Sequence, residues 1–145
     1  MDRAILSPVV ALATACGATE RDDARLDPPR PWSEASRVGE RGEFSFTLTL
    51  EPAVPVLHEF FSVTTRLLDL RSGLPVEAAD VDVDARMPDH GHGMATRPEH
   101  RELGSGRYET RGMKFHMPGV WVFSACARAQ DREDCVALSY REDVP

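Results

Sequence analysis

Apolar and polar residues alternate along most of the chain from residue 43 onward. Residues 44–50 read FSFTLTL, residues 61–67 read FSVTTRL, and residues 81–87 read VDVDARM, so an apolar or β-branched side chain returns at every second position. A period of two is typical of a β-strand that buries one face and exposes the other. The pattern therefore predicts three half-buried strands.

The rest of this region reads as short strands separated by turns. RSGLP and MPG are turn sequences, GRYETRGMKFHM supplies one or two strands, and VWVFSACA and CVALSY close the region as a hairpin. About seven short strands with few helix signals predict an all-β fold. We expect a single antiparallel β-sandwich over residues 43–145.

The first residues have the pattern of a targeting sequence. MDR is followed by the apolar run AILSPVVALATA and then by Cys16. We interpret residues 1–15 as a lipoprotein signal peptide, after which Cys16 carries the lipid that anchors the protein to a membrane. Ala13 stands where this motif usually has leucine. Cleavage to a soluble secreted form is therefore an alternative, as is a cytosolic protein with a chance apolar start.

Export would place the protein in a bacterial cell envelope, facing the periplasm. Gly17 is not the aspartate that marks inner-membrane retention in some bacteria, which favours the outer membrane. Residues 16–42 carry many charges, three prolines and one tryptophan, without an apolar period. Such a segment is too polar to fold alone and predicts a flexible linker.

Cys126 and Cys135 lie in the two strands of the last hairpin. If they face each other, the same register pairs Trp121 with Tyr140 on the apolar face. In an oxidising compartment an even pair of cysteines predicts a disulfide. Two free thiols, or two thiolate metal ligands, are the alternative.

Charge and composition exclude several classes of function. The formal net charge is −7, which argues against binding to nucleic acid or, by electrostatics, to an anionic membrane surface. No run of apolar residues is long enough to predict a membrane-spanning helix.

Histidine and methionine are concentrated in one part of the sequence. Residues 87–117 contain four of the five histidines and every methionine except the first. Thioethers suit Cu(I), and imidazoles bind both Cu(I) and Cu(II). If the cysteines form a disulfide, histidine and methionine are the copper ligands that are left. The concentration therefore predicts a copper site, although Zn²⁺ also fits imidazole donors.

The candidate ligands fall into two segments. In the first segment, MPDHGHGM, the backbone freedom of the glycines lets neighbouring imidazoles converge on one ion. The alternative interpretation of this segment is a solvent-exposed turn that binds no metal. In the second segment, strand alternation separates His116 from Met117 unless the strand ends before Met117. Met87 continues the apolar face of its strand, so it is either a ligand or a core residue. The candidate ligands are Met87, His90, His92, Met94, His116 and Met117.

These motifs resemble the YtkA-like domain family. The resemblance covers residues 44–140. It is carried by the turn and strand GLPVEAADV from Gly73 to Val81, the MPDHGHGM loop, Gly106 to Tyr108, and Phe115 to Trp121. It implies an extracytoplasmic immunoglobulin-like β-sandwich, often associated with copper-handling or respiratory-assembly proteins. It implies no catalytic residue, and the paired cysteines are not part of the family pattern.

The sequence is compatible with two functions and argues against a third. The first is an envelope copper-binding module that buffers copper or exchanges it with an envelope protein. The second is an immunoglobulin-like module that binds an envelope protein without metal. An enzyme is the third, and we expect none, because the sequence has no Ser–His–Asp order, paired carboxylates or phosphate-binding loop.

Overall fold

The alternating segments fold as strands. The computed structural model describes residues 28–143. Within this range the chain forms one 3₁₀ turn, no α-helix and nine strands. The strands are β1 (Glu34–Val38), β2 (Phe44–Glu51), β3 (Phe60–Asp69), β4 (Asp80–Met87), β5 (His92–Gly93), β6 (Glu99–Gly104), β7 (Arg107–Lys114), β8 (Gly119–Ala129) and β9 (Arg132–Glu142).

These strands form two antiparallel sheets that pack face to face. One sheet has five strands in the order β1-β2-β3-β7-β6, and the other has four in the order β5-β4-β8-β9. The apolar positions of each alternating strand point into one shared core, where Phe44, Leu48, Val83 and Phe123 are fully buried. The predicted all-β sandwich is confirmed.

The predicted register of the last hairpin is also confirmed. Trp121 lies opposite Tyr140, and Cys126 lies opposite Cys135. The two cysteines form a disulfide. They lie on the outer face of the four-stranded sheet, because their strand neighbours, such as Val136, point into the core. The disulfide therefore staples β8 to β9 without occupying core volume.

The sandwich begins earlier in the chain than the pattern predicts. Strand β1 lies within residues 16–42, the predicted linker, and pairs with β2 along its length. Just before it, the ring of Trp32 packs 5.3 Å from Phe123 and 5.6 Å from Tyr140. Its indole N–H donates a hydrogen bond of 2.9 Å to the carbonyl of Ser139. One aromatic anchor and a strand ladder thus order a segment too polar to show an apolar period.

A buried carboxylate fixes the turn between β1 and β2. Asp134, on β9, is 1% exposed. The backbone of Gly39 runs against it, and the carboxyl group of Asp134 occupies the space that a Cβ at Gly39 would need. Its two oxygens accept hydrogen bonds of 2.8 to 3.1 Å from four backbone N–H groups, those of Arg41, Glu43, Phe44 and Cys135.

The interpretations of the N-terminus lie outside the described residues. They are the signal peptide over residues 1–15, the lipidation of Cys16 and the part of the linker that precedes residue 28. Over residues 28–143, no helix is long and apolar enough to cross a membrane.

Candidate metal centre

The HGHGM segment folds back onto strand β4. After Met87 the chain makes a single 3₁₀ turn over Pro88–His90, which ends at Gly91 with φ of +67°. Glycine adopts this left-handed conformation without steric cost. The reversal lets His92 pair with Met87 as strand β5. The loop histidines are thereby held at one end of the sandwich.

The second segment lies outside the strands. Strand β7 ends at Lys114 and β8 begins at Gly119, so alternation does not constrain the residues between them. His116 and Met117 are both partly buried. The carbonyl of Met117 accepts a hydrogen bond of 3.0 Å from the indole N–H of Trp121. His116 and Met117 can face the same ion only if the strand ends before Met117, and β7 does end earlier, at Lys114.

The two segments meet through their histidines. The ring centres of His92 and His116 are 5.0 Å apart, and those of His90 and His92 are 5.8 Å apart. Trp121 lies edge-on to His116, with its ring centre at 5.2 Å. Two imidazoles that bind one ion at about 2.0–2.1 Å have ring centres roughly 4.5–5.5 Å apart. His92 and His116 therefore have the spacing of two ligands of one ion.

Burial favours the neutral form of His116 by lowering its pKa. Its Nδ1 is buried and has no hydrogen-bond partner among the described residues. Burial lowers the pKa of His116 below 6.5, and the nearby charges of His92 and His58 lower it further. A neutral imidazole with an unused ring nitrogen is the form that binds metal ions.

The orientation of His92 also leaves a nitrogen available. Its Nδ1 lies 3.3 Å from the carbonyl oxygen of Gly93. Metal-binding histidines commonly direct one ring nitrogen at a backbone carbonyl, which fixes the ring and leaves the other nitrogen for the ion. This contact would leave Nε2 of His92 as its donor atom.

The three candidate methionines differ in access. Met94 and Met117 are partly buried and pack against the core. The Sδ atom of Met94 accepts a hydrogen bond of 3.4 Å from the backbone N–H of Lys114. Met87 is 1% exposed, and its methyl group fills the space that a Cβ at Gly119 would need. Met87 is placed in the core, whereas Met94 and Met117 lie on the two histidine-bearing loops.

The described residues contain no complete metal site built from histidine, cysteine, aspartate or glutamate side chains. No three histidine, cysteine, aspartate or glutamate side chains in residues 28–143 are close enough together to hold one ion. His100 lies apart, with Nδ1 2.9 Å from the hydroxyl of Thr110 and Nε2 2.9 Å from the carboxylate of Asp82. An ion at this end of the sandwich would need thioethers, or a rotation of the exposed His90.

The sequence pattern assigns no role in the site to His58. It lies on the loop between β2 and β3, and its backbone N–H donates a hydrogen bond of 2.8 Å to the carbonyl of Phe115. This bond places it beside the residue that precedes His116. The position of His58 follows from the pairing of β3 with β7. This ladder ends with the pair Phe60 and Lys114. Extending that ladder brings His58 to His116, but the pairing is long-range and the sequence does not specify it.

The comparisons with known proteins agree with the fold and indicate no specific function. A model of the family described as YtkA-like matches residues 39–125. The match spans β2 to the middle of β8 and includes both histidine-bearing loops. No curated protein and no solved structure matches the chain.

Proposed function

The chain belongs to the YtkA-like family, and from this premise we propose that it is a copper-binding module of the bacterial cell envelope. It buffers copper or delivers it to another envelope protein, and it catalyses no reaction. The observation that carries the proposal is the 5.0 Å spacing between the rings of His92 and His116. These residues belong to two loops that only the fold brings together.

The state of these two rings supports metal binding. His116 has a buried Nδ1 without a hydrogen-bond partner among the described residues and a lowered pKa. A buried polar atom without a partner costs free energy. An ion that accepts the lone pair of this ring would remove part of that cost. His92 lies partly exposed beside it, so the ion is reached from solvent.

The donor set favours copper. Met94 and Met117 lie on the same two loops, and soft thioethers bind Cu(I) better than they bind Zn²⁺. The thiolates that would otherwise compete are joined in the Cys126–Cys135 disulfide. Two imidazoles with one or two thioethers can hold copper in either oxidation state. His90, which is exposed, provides a further imidazole for exchange.

The N-terminal sequence supports the proposed location. The apolar run before Cys16 favours export and a lipid anchor at that residue. Anchoring would hold the histidine loops at the membrane surface, where a receiving membrane protein is accessible. The recipient is expected to be an envelope protein with its own copper site.

A Cu(I) competition titration tests the function. The protein, with its disulfide intact, competes under anaerobic conditions with a chromophoric chelator. We expect one equivalent to bind, and we expect His92→Ala to weaken binding by about tenfold or more because a ligand is lost. His100→Ala is the matched control, since it removes an imidazole that is bonded to Thr110 and Asp82. Equal competition by the wild type and His92→Ala would contradict the site.

Exposed apolar side chains favour a second candidate function. On the loop between β2 and β3, Val54 is 72% exposed, Val56 is 53% exposed and, at the start of β3, Phe60 is 65% exposed. Several large apolar side chains that are exposed close together in sequence favour a protein-binding surface. In this alternative the domain is an immunoglobulin-like interaction module without metal. It predicts that the wild type does not compete for Cu(I), and that the co-purification of an envelope protein is lost in Phe60→Ser but retained in His92→Ala.

A further inference from the structure

The Cys126–Cys135 disulfide is partly exposed on the outer face of the four-stranded sheet. A surface cleft of about 420 Å³ opens beside Cys135, and a second cleft of about 280 Å³ opens beside Cys126. Each cysteine therefore borders a space that a small thiol, or an exposed cysteine of another protein, can enter. A disulfide that solvent reaches is open to attack by a thiolate, whereas a disulfide inside a core is protected.

The hairpin that carries the disulfide is held together by other interactions. β8 and β9 are each 11 residues long and pair along their whole length. Their inward side chains, such as Phe123 and Leu138, are buried in the core. The cysteines are only 9 positions apart in sequence, and closing a short loop constrains the unfolded chain less than closing a long one. We therefore expect the hairpin to stay paired when the disulfide is reduced.

A hairpin that stays paired also keeps the reduced cysteines together. Cys126 and Cys135 are direct partners in the ladder, with their Cα atoms 4.1 Å apart. In the reduced protein the same ladder would hold the two thiols side by side, so the bond can form again without a search through chain conformations. The pair is thus accessible when it is oxidised and preorganised when it is reduced.

Negative charge surrounds the disulfide. Asp82 lies opposite Cys126 on β4, and the backbone N–H of Glu40 donates a hydrogen bond of 2.9 Å to the carbonyl of Cys135. The side chains that line the two clefts include five carboxylates and two guanidinium groups: Glu40, Asp80, Asp82, Asp84, Glu133, Arg86 and Arg128. An excess of carboxylates repels an anionic thiol and attracts a cationic one.

From this arrangement we propose that the Cys126–Cys135 disulfide is a site of thiol–disulfide exchange. Its substrate is the dithiol of another protein whose surface around that dithiol is positively charged. The inference is independent of the proposed copper function. It also concerns residues outside the matched family region, which ends at residue 125.

The exchange proceeds in two steps. Cys135 lies on an edge strand and borders the larger cleft, so a thiolate of the partner attacks its Sγ. The S–S bond breaks, and its electron pair passes to the Sγ of Cys126, which takes up a proton. The second thiolate of the partner then attacks the mixed disulfide and releases Cys135, which is protonated in turn. The partner's dithiol is oxidised to a disulfide, and the disulfide of this chain is reduced to two thiols.

A comparison of two small thiols tests the selection by charge. The full-length protein is treated at low ionic strength with cysteamine, which is cationic, or with glutathione, which is anionic. Alkylation and mass spectrometry follow the peptides that contain Cys126 and Cys135 separately from Cys16. Each rate is divided by the rate at which the same thiol reduces 2-hydroxyethyl disulfide, an uncharged reference. We expect these relative rates to favour cysteamine by about tenfold. Equal relative rates would overturn the proposed substrate class.

A charge variant locates the source of the selection. Glu40→Gln removes one carboxylate beside Cys135 and should reduce the preference for cysteamine by about threefold. Glu99→Gln is the matched control, because it removes an exposed carboxylate from β6 in the other sheet. The same preference in the two variants would show that the carboxylates of the cleft do not select the thiol.

Urea distinguishes attack on the folded protein from attack on the unfolded chain. We expect the rate of reduction by cysteamine to stay constant at urea concentrations well below the unfolding midpoint. A rate that rises with the unfolded fraction would mean that the disulfide reacts only after unfolding, and it would overturn the proposal.

The reduced protein provides a final test that needs no substitution. We expect its near-ultraviolet circular dichroism spectrum to retain the aromatic signals of the oxidised protein, because Trp121 and Tyr140 stay packed in the core. The disulfide should form again when the thiol is replaced by a disulfide oxidant. Loss of the aromatic signals on reduction would show that the bond is required for folding, and the exchange site would then be rejected.

Discussion

Asp134 shows how one side chain can fix a long-range contact that no local pattern encodes. Its carboxylate is buried on β9 and accepts hydrogen bonds from the backbone of the turn that enters β2. The sequence around it, DREDC, reads as an acidic bend that could be fully solvated. The role of Asp134 follows only from the close approach of Gly39, which lies far from it in sequence.

We predict that Asp134→Ala destabilises the domain. The substitution leaves four backbone N–H groups without their acceptor, and hydrogen bonds to a charged group contribute about 1.5–3 kcal/mol each, although not additively. The free energy of unfolding is expected to fall by about 3 kcal/mol or more, measured by urea unfolding. Asp131→Ala, on the exposed turn nearby, serves as the control and should change stability little. Equal midpoints for the two variants would contradict this role.

The candidate ligands could be found from residue type and spacing, but their arrangement could not. The concentration of histidine and methionine and the glycines around His92 are visible in the sequence. Whether Met87 is a core residue depends on strand parity, and it is buried as its parity favours. The contact between His92 and His116, and the approach of His58, depend on how β4, β7 and β3 are paired. Pairing is a property of the whole sheet and leaves no local pattern.

The strands were predictable in proportion to how much apolar surface each buries. β2 and β4 bury every second side chain and show a clear period of two. β6 does not, because its residues are almost all exposed and its sequence, EHRELG, is polar throughout. It forms because the turn after Gly104 folds it onto β7. β1 also lacks an alternating apolar pattern, because no large apolar residue lies on its inner side.

An ion-pair network joins the two sheets at the turns near the start of β2. Arg132, at the start of β9, contacts Asp69 on β3 at 2.5 Å and Glu43 beside β2 at 3.2 Å. The hydrogen bond from Arg132, together with those from the backbone N–H groups of Arg71 and Ser72, lowers the pKa of Asp69 from 3.8 to about 2. The side chain of Arg132 also lies over the ring of Phe44.

The lowered pKa of Asp69 predicts an acid-sensitive part of the stability. Because the folded-state pKa is below the unfolded-state value, the stabilisation is fully present above about pH 3.8 and is lost as pH falls toward about 2. Arg132→Gln should reduce this loss, since Asp69 then titrates closer to its ordinary pKa. Urea unfolding across that pH range measures the difference. Arg41→Gln, which removes an exposed arginine near Glu133, is the control and should retain the wild-type pH dependence.

The domain extends beyond the region in which alternation is visible. Trp32 packs against the core near the point where β1 lies beside β9, and it contacts Phe123 and Tyr140. Composition alone places Trp32 in a linker, because one aromatic residue among prolines and charges does not constitute a pattern. Its position depends on contacts with residues that are distant in sequence, namely Phe123, Ser139 and Tyr140.

We predict that Trp32→Ala lowers the free energy of unfolding by roughly 2–3 kcal/mol. This is below the usual cost of deleting a fully buried tryptophan, because Trp32 is only partly buried. The loss includes the hydrogen bond to Ser139. Thermal unfolding followed by circular dichroism measures it, with Val38→Ala, an exposed position on β1, as the control. A melting temperature equal to that of the control would mean that the N-terminal segment adds no stability.

The order of the strands limits how this protein can be recognised. In the described part of the chain, four strands lie at sheet edges: β1, β6, β5 and β9. β5 is two residues long, β6 is lined with charged side chains, β1 is short, and β9 is bridged by Arg30. Short, charged or covered edges discourage the addition of a strand from another molecule. We therefore expect little edge-to-edge aggregation between copies of the domain, and we expect a partner to recognise loops and side chains rather than to extend a sheet.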